Sequence, residues 1–85
     1  MHRDLKLGHV FLCDETDLPR VKIGDLSSAA RLHPGEKFED SVGSVGFMAP
    51  EVVKKMPNDF KADIYSLGVI LYFLLCADFP FEIEC

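Results

Sequence analysis

The most constraining feature of this sequence is an apolar run near its C-terminal end, over residues 64–77. Polar residues 57–59 precede it, and Asn58 or Asp59 can cap a helix, so we predict a helix over about residues 60–76. Apolar side chains lie on every face of this helix: Ile64, Leu67, Val69, Ile70, Leu71, Phe73, Leu74 and Leu75. Such a helix must be packed on all sides. The run is shorter than the roughly 20 residues that span a bilayer, so a buried helix is expected rather than a membrane anchor.

Composition limits the classes of protein that fit the chain. Its 85 residues allow one domain at most, and 48% hydrophobic residues are typical of globular sequence. The net charge is −5 and the basic residues are dispersed, so nucleic-acid binding is not expected. Cys13, Cys76 and Cys85 form no CxxC pair, which favours a reducing, cytoplasmic setting over a disulfide framework. No basic and apolar leader follows Met1, so no signal peptide is expected.

The remainder of the chain predicts a small hairpin, a long loop and a short helix. Residues 9–13 and 20–23 have the pattern of two strands, and the polar residues 14–19 between them form the turn. Residues 25–47 carry glycine, serine, proline and charge without a sustained period, which is typical of a loop with functional contacts. Residues 49–53 begin a short helix with Pro50 in its first turn. The predicted class is therefore α+β.

Four motifs follow one another along these elements. They are His-Arg-Asp-Leu-Lys at residues 2–6, Asp25 after the second strand, Ala-Pro-Glu at residues 49–51, and Asp63. One tripeptide recurs by chance, but four motifs in this order do not. Up to about Phe81, the sequence resembles the C-terminal lobe of a eukaryotic-type serine/threonine protein kinase domain.

The resemblance implies a partial kinase-like fold over residues 1–85. Residues 2–9 would be the catalytic loop, 9–23 the hairpin, 25–51 the activation segment and about 60–76 the central helix. The corresponding helix in kinases is the central post of the lobe, packed by helices that lie outside this sequence.

The same resemblance assigns catalytic roles. Asp4 matches the aspartate that orients the substrate hydroxyl and accepts its proton, and Lys6 the cation beside the transferring phosphate. Lys6 also separates the sequence from tyrosine kinases. Ser44, in the Gly-Ser-Val-Gly-Phe-Met-Ala-Pro-Glu stretch at residues 43–51, replaces a threonine that contacts the catalytic aspartate. A turn or cap aspartate is the alternative for Asp4.

ATP and magnesium are the cofactors that the resemblance implies. Asp25 matches the metal-binding aspartate, and Val10, Phe11 and Leu12 would lie beneath the adenine ring. His9 stands where an asparagine binds the second magnesium, and imidazole is a poor ligand for that ion. Ser27 replaces a glycine. Leu7 and Gly8 depart from the pattern as well, so a specialised kinase or a pseudokinase stays open, and a zinc set of His2, His9 and Cys13 matches no common spacing.

Regulatory and structural roles follow from the same alignment. Arg3 binds a phosphate on the activation segment in many such kinases, and Asp40, four positions before Ser44, would supply a permanent negative charge instead. Ser41 is a candidate phosphosite, and a solvated acidic loop is the alternative. Asp63 would hold the backbone of the catalytic loop, or else act only as an acidic residue in a first helical turn.

Glu51 would pair with an arginine of a later helix, and the sequence has no arginine after Arg31. The glycine-rich loop, strand lysine and helix glutamate that kinases use to bind ATP also have no counterpart here. We therefore expect a partial kinase domain that acts on a protein substrate and does not catalyse as an isolated chain. The alternative is a truncated pseudokinase that binds a protein partner noncatalytically or self-associates through its exposed apolar helix.

Overall fold

The structure is a computed structural model of the chain and describes residues 1–80. A 3-10 turn at Leu7–His9 leads into strand β1, Val10–Leu12, and strand β2 follows at Val21–Ile23. Helix α1 is Pro50–Val53 and helix α2 is Lys61–Cys76. Phe81 and Cys85, both considered in the sequence, lie outside the described residues.

Strands β1 and β2 form the predicted antiparallel hairpin. Val10 pairs with Ile23, Phe11 with Lys22 and Leu12 with Val21. Backbone bonds from Cys13 N to Arg20 O, 2.9 Å, and from Gly24 N to His9 O, 2.8 Å, extend the ladder at both ends. The strands are slightly shorter than the predicted ranges, residues 9–13 and 20–23. The two ends of the hairpin, His9 and Gly24, lie next to each other.

A small core forms where α1 meets the start of α2. Pro50 occupies the first turn of α1, where its missing N–H removes no helical hydrogen bond. Ala49, Val52 and Ala62 are buried together, and Met1, Met48 and Tyr65 pack around them. Met1 also contacts the long loop, because its amino group donates to Ala30 O at 3.1 Å.

Helix α2 begins without a side-chain cap on its N-cap residue, Phe60. Asp59 takes part of that role, since its Oδ1 accepts the Lys61 amide at 3.0 Å. Asn58, the other predicted cap, is instead 4% exposed and pairs with Phe38. The helix ends at Ala77, whose φ of 55° is left-handed and whose amide donates to Phe73 O.

Only one side of α2 is covered by the described part of the chain. Its buried residues are Ala62, Ser66, Val69 and Ile70, whereas Ile64, Leu67, Leu71, Leu74 and Leu75 are exposed. We call these five exposed side chains the outward face of α2. Across residues 1–80, every helix is too short or too polar to cross a membrane.

Candidate functional site

The segment at residues 2–4 is fixed to the first turn of α2 by one carboxylate. Asp63 Oδ2 accepts the His2 amide at 2.8 Å, and Asp63 Oδ1 accepts the Arg3 amide at 3.0 Å. Arg3 has a φ of 76°, in the left-handed region that non-glycine residues seldom adopt. Asp63 thus fixes the two successive amides that lead into this unfavourable backbone conformation, immediately before Asp4.

Asp4 is half-buried and contacts the long loop directly. Ser44 Oγ donates to Asp4 Oδ1 at 2.7 Å, a contact across 40 positions of sequence. The loop is itself anchored to α2, because the buried Ser66 hydroxyl donates to Phe47 O at 2.6 Å. Lys6 is half-buried as well, and within residues 1–80 its ammonium has neither a hydrogen bond nor an ion pair.

Arg3 binds the loop in two ways. Its guanidinium forms an ion pair with Asp40 and lies 4.3 Å from the centre of the Phe38 ring, a cation–π distance. The hydrogen bond from Arg3 lowers the pKa of the Asp40 carboxyl below its usual value of 3.8. Ser41, next to Asp40, is exposed. This geometry lets a single cation hold both an acidic and an aromatic side chain of the loop.

Phe38 is positioned by Asn58. The two residues exchange backbone hydrogen bonds of 2.8 Å each, and Asn58 Nδ2 donates to Phe38 O and to Met56 O at 3.0 Å. Lys37 adds an ion pair to Asp59 at 3.0 Å. These contacts hold the loop beside the start of α2, and they fix the positions from which Phe38 and Asp40 contact Arg3.

Asp25 faces His9 at the open end of the hairpin. His9 Nε2 lies 3.1 Å from Asp25 Oδ2, while His9 Nδ1 lies 2.8 Å from Asp4 O. The other oxygen, Oδ1, accepts the Ser27 hydroxyl at 2.6 Å and the Ser27 amide at 3.2 Å. The Ser27 hydroxyl, then its amide, lower the pKa of Asp25 below 3.8, and the charge of His9 contributes less.

His2 completes this cluster. The Asp4 amide donates to His2 Nδ1 at 3.1 Å, so Nδ1 is unprotonated and Nε2 carries the hydrogen that is donated to Gly24 O at 2.9 Å. His2 therefore links the segment that holds Asp4 to the residue before Asp25.

The donor set around Asp25 does not fit magnesium well. Magnesium requires oxygen ligands in nearly ideal octahedral geometry, and here a single carboxylate faces an imidazole nitrogen. Both oxygens of that carboxylate already have partners in the chain. Among residues 1–80, no group of three or more histidine, cysteine, aspartate or glutamate side chains is arranged to hold a metal ion. His2, His9 and Cys13, the zinc set considered in the sequence, do not form such a group in this part of the chain.

The remaining predicted residues lie apart from this cluster. In β1, Val10 is half-buried, whereas Phe11 and Leu12 are exposed. Glu51 forms no ion pair within residues 1–80. Burial, and secondarily the charge of Glu51, raise the pKa of Tyr65 above 10.0.

Sequence reasoning missed three residues that shape the site. Phe38 lies in the aperiodic loop, Asn58 was considered as a helix cap, and Ser66 is a polar residue within the apolar run at residues 64–77. A polar residue inside a run that predicts a buried helix is a usable signal, because a buried hydroxyl requires a hydrogen-bond acceptor. Phe38 and Asn58 carried no comparable signal.

Known proteins with similar sequences identify the class of protein. A model of the protein kinase domain family matches residues 1–84, and the chain therefore belongs to the protein kinase family. The serine/threonine-protein kinase PLK1 of Xenopus tropicalis is 44% identical over 86 residues, covering 100% of this chain and 14% of that kinase.

Two further relatives have similar coverage. The serine/threonine-protein kinase polo of Drosophila melanogaster is 43% identical over 83 residues, which is 96% of this chain and 14% of that protein. Calcium-dependent protein kinase 10 of Oryza sativa subsp. japonica is 43% identical over 84 residues, or 99% of this chain and 14% of that protein. The chain thus spans about one seventh of these relatives' length, and the predicted resemblance to serine/threonine kinases is confirmed.

Proposed function

We propose that this chain is part of the C-terminal lobe of a serine/threonine protein kinase domain and positions the hydroxyl acceptor for transfer of the ATP γ-phosphate. Residues 2–9 are then the catalytic loop, 9–23 the hairpin, 25–51 the activation segment and about 60–76 the central helix. Family membership supports this assignment. The observation that carries it is the hydrogen bond from Ser44 to Asp4, with the Asp4 segment fixed by Asp63.

Asp4 is the proposed catalytic carboxylate. Its Oδ1 accepts the Ser44 hydroxyl, while its Oδ2 has no hydrogen bond within residues 1–80. A second hydroxyl, that of a substrate serine or threonine, can therefore donate to Oδ2 while Ser44 fixes the orientation of the carboxylate. Accepting that proton as the oxygen attacks phosphorus is general-base catalysis.

Lys6 is the proposed phosphate contact. Two residues after Asp4, its ammonium has no partner within residues 1–80. A cation at this position stabilises the negative charge on the phosphate oxygens during transfer. Val10, Phe11 and Leu12 are proposed to lie beneath the adenine ring, where the exposure of Phe11 and Leu12 leaves apolar surface available.

Transfer is proposed for the full-length protein. Protein kinases use ATP and magnesium, and their nucleotide contacts include a glycine-rich loop and a strand lysine that these 85 residues do not contain. Glu51 is proposed to pair with an arginine beyond this sequence. Within residues 1–80, Cys13 and Cys76 are exposed free thiols, which is consistent with the proposed cytoplasmic location.

The activation segment is proposed to be held by Asp40 without phosphorylation. Asp40 already pairs with Arg3, and Phe38 lies under the same guanidinium. The exposed Ser41 is a candidate phosphosite that would add charge beside this pair. An Asp40→Ala full-length protein with unchanged activity would contradict this role.

The test of the proposed function is phosphotransfer from ATP to a serine-containing peptide by the full-length protein. We expect Asp4→Asn to lower kcat by about 10²–10⁴-fold, the usual contribution of a general base. The matched control is Asp17→Asn in the exposed hairpin tip, which should leave kcat unchanged. Undiminished transfer by a folded Asp4→Asn protein would exclude the proposed role.

A noncatalytic interaction module is the second candidate function. The observations that favour it are the occupied oxygens of Asp25 and the apolar outward face of α2. In that case a protein partner or a second copy of the chain would cover this face. A folded full-length protein that transfers no phosphate, yet binds a partner in a way that Leu71→Glu abolishes, would favour this function over catalysis.

A further inference from the structure

Both oxygens of the Asp25 carboxylate are already engaged by the chain itself. Oδ1 accepts two bonds from Ser27, and Oδ2 faces His9 Nε2 at 3.1 Å. Asp25 has a φ of 54°, in the left-handed region. His9 and Ser27, which both differ from the family pattern, thus contact this carboxylate.

His9 is held firmly in this position. Its side chain is 11% exposed, and its Nδ1 lies 2.8 Å from the Asp4 carbonyl oxygen, which can only accept. The carboxylate on the other side of the ring can also only accept. The His9 ring is therefore fixed from both sides, with one nitrogen against the backbone of Asp4 and the other against the Asp25 carboxylate.

A divalent cation needs the same carboxylate oxygens. Magnesium binds oxygen atoms at about 2.0–2.1 Å and tolerates little distortion, so it must displace the donors that already occupy them. We propose that His9 and Ser27 form an internal cap that competes with divalent cations for Asp25, so that a cation binds only when the cap opens. This inference rests on the proposed function in one respect, the assignment of Asp25 as the carboxylate that binds the metal ion.

The hairpin tip offers a natural comparison. Thr16 donates its hydroxyl to Asp14 Oδ1 at 2.6 Å and its amide to the same oxygen at 3.2 Å, which repeats the Ser27–Asp25 geometry. No histidine pairs with Asp14 within residues 1–80. Thr16→Ala therefore serves as the control, because it removes the same kind of hydroxyl from an aspartate that takes no part in the proposed competition.

The experiment measures Mn²⁺ binding to the full-length protein without nucleotide, by the relaxation enhancement of water protons that bound Mn²⁺ produces. The variants are Ser27→Ala, His9→Asn and the double variant, each with and without Asp25→Asn, and Thr16→Ala is the control. Because a hydrogen bond to a charged group is lost, we expect Ser27→Ala to bind Mn²⁺ about tenfold more tightly than the unaltered protein. The double variant should bind more tightly still.

Each outcome decides the inference. Gains that disappear with Asp25→Asn, together with unchanged binding in Thr16→Ala, would support the cap. The inference would be overturned if Mn²⁺ bound through Asp25 equally tightly in the unaltered protein and in the His9 and Ser27 variants. It would also be overturned if no variant gained affinity that Asp25→Asn removes. Ser27 is exposed, so Ser27→Ala remains decisive even if His9→Asn unfolds. Since no phosphate is transferred, failure of the proposed catalysis leaves this result interpretable.

Discussion

The two halves of the candidate site are held in different ways. Around Asp4 the hydrogen bonds join distant parts of the chain. The His2 and Arg3 amides lie 61 and 60 positions from their acceptor, Asp63. The pair of Ser44 and Asp4 is separated by 40 positions, and the pair of Arg3 and Asp40 by 37. Around Asp25 the closest hydrogen bonds come from Ser27, two residues away. We call these the docked region and the open region, and the open region also includes the hairpin and the outward face of α2.

This difference bears on function. The proposed acceptor-positioning residues depend on the packing of α2, the long loop and residues 2–4, so their geometry is a property of the fold. The environment of Asp25 depends on a local turn and one histidine, so single substitutions can alter it without disturbing the docked region. The proposed acceptor-positioning contacts can therefore stay intact while the partners of Asp25 change.

The largest expected effect is the loss of Asp63. In Asp63→Ala the His2 and Arg3 amides lose a charged acceptor, and the left-handed Arg3 loses its support. We expect the free energy of unfolding of the full-length protein to fall by about 3 kcal/mol, measured by urea denaturation. Asp78→Ala is the control, because Asp78 is exposed and its carboxylate accepts only the neighbouring Phe79 amide within residues 1–80. If the two substitutions lowered the free energy of unfolding equally, the contacts of the docked region would have no special weight in the fold.

Local patterns predicted the regular elements of this fold. The hairpin, the turn of helix at Pro50 and the long helix through residues 61–76 each carry a pattern within a few positions of sequence. The spacing before Ser44 led to the pairing of Asp40 with Arg3, and that ion pair is present, although its regulatory role stays a prediction.

Long-range pairing is what the sequence could not predict. Asn58 pairs with Phe38 across 20 positions, and nothing near either residue indicates this. The amide of Asn58 can cap a helix or satisfy buried carbonyls, and only tertiary packing decides between them. The contact between Ser27 and Asp25 also escaped prediction, because the replacement of a glycine by Ser27 does not by itself indicate what the added hydroxyl will bind.

One substitution made in both regions sharpens the contrast between them. Gly43 lies in the docked region with a φ of 143°, and an added Cβ would lie 2.9 Å from Met48 Cγ and 3.3 Å from Arg3 O. We expect Gly43→Ala to destabilise the full-length protein by about 2 kcal/mol in urea denaturation. At Gly68, in α2, no atom of residues 1–80 beyond the neighbouring helix backbone lies within 4 Å of such a Cβ, and Gly68→Ala should stabilise by about 1 kcal/mol.

The sign of the Gly68→Ala effect carries the most information. A gain means that the side of α2 at Gly68 is open in the full-length protein, as it is here. A loss means that another part of the protein packs closely against Gly68, and the open region would then be restricted to the hairpin and Asp25.

The smallest expected effect is the acid titration of Asp40, which tests whether the docked region depends on charge. The hydrogen bond from Arg3 lowers the pKa of Asp40 below 3.8, so the carboxylate is favoured in the folded protein. Its contribution to stability is then fully present above about pH 3.8 and is lost as pH falls through the lowered folded value.

In Arg3→Gln the pKa of Asp40 should rise towards 3.8, measured by carbon NMR of the labelled carboxyl. Because Asp40 is more than half exposed, solvent screens the pair and the shift should be modest. An Asp40 pKa that is the same with and without Arg3 would mean that Phe38 and Asn58, rather than the ion pair, hold this part of the loop.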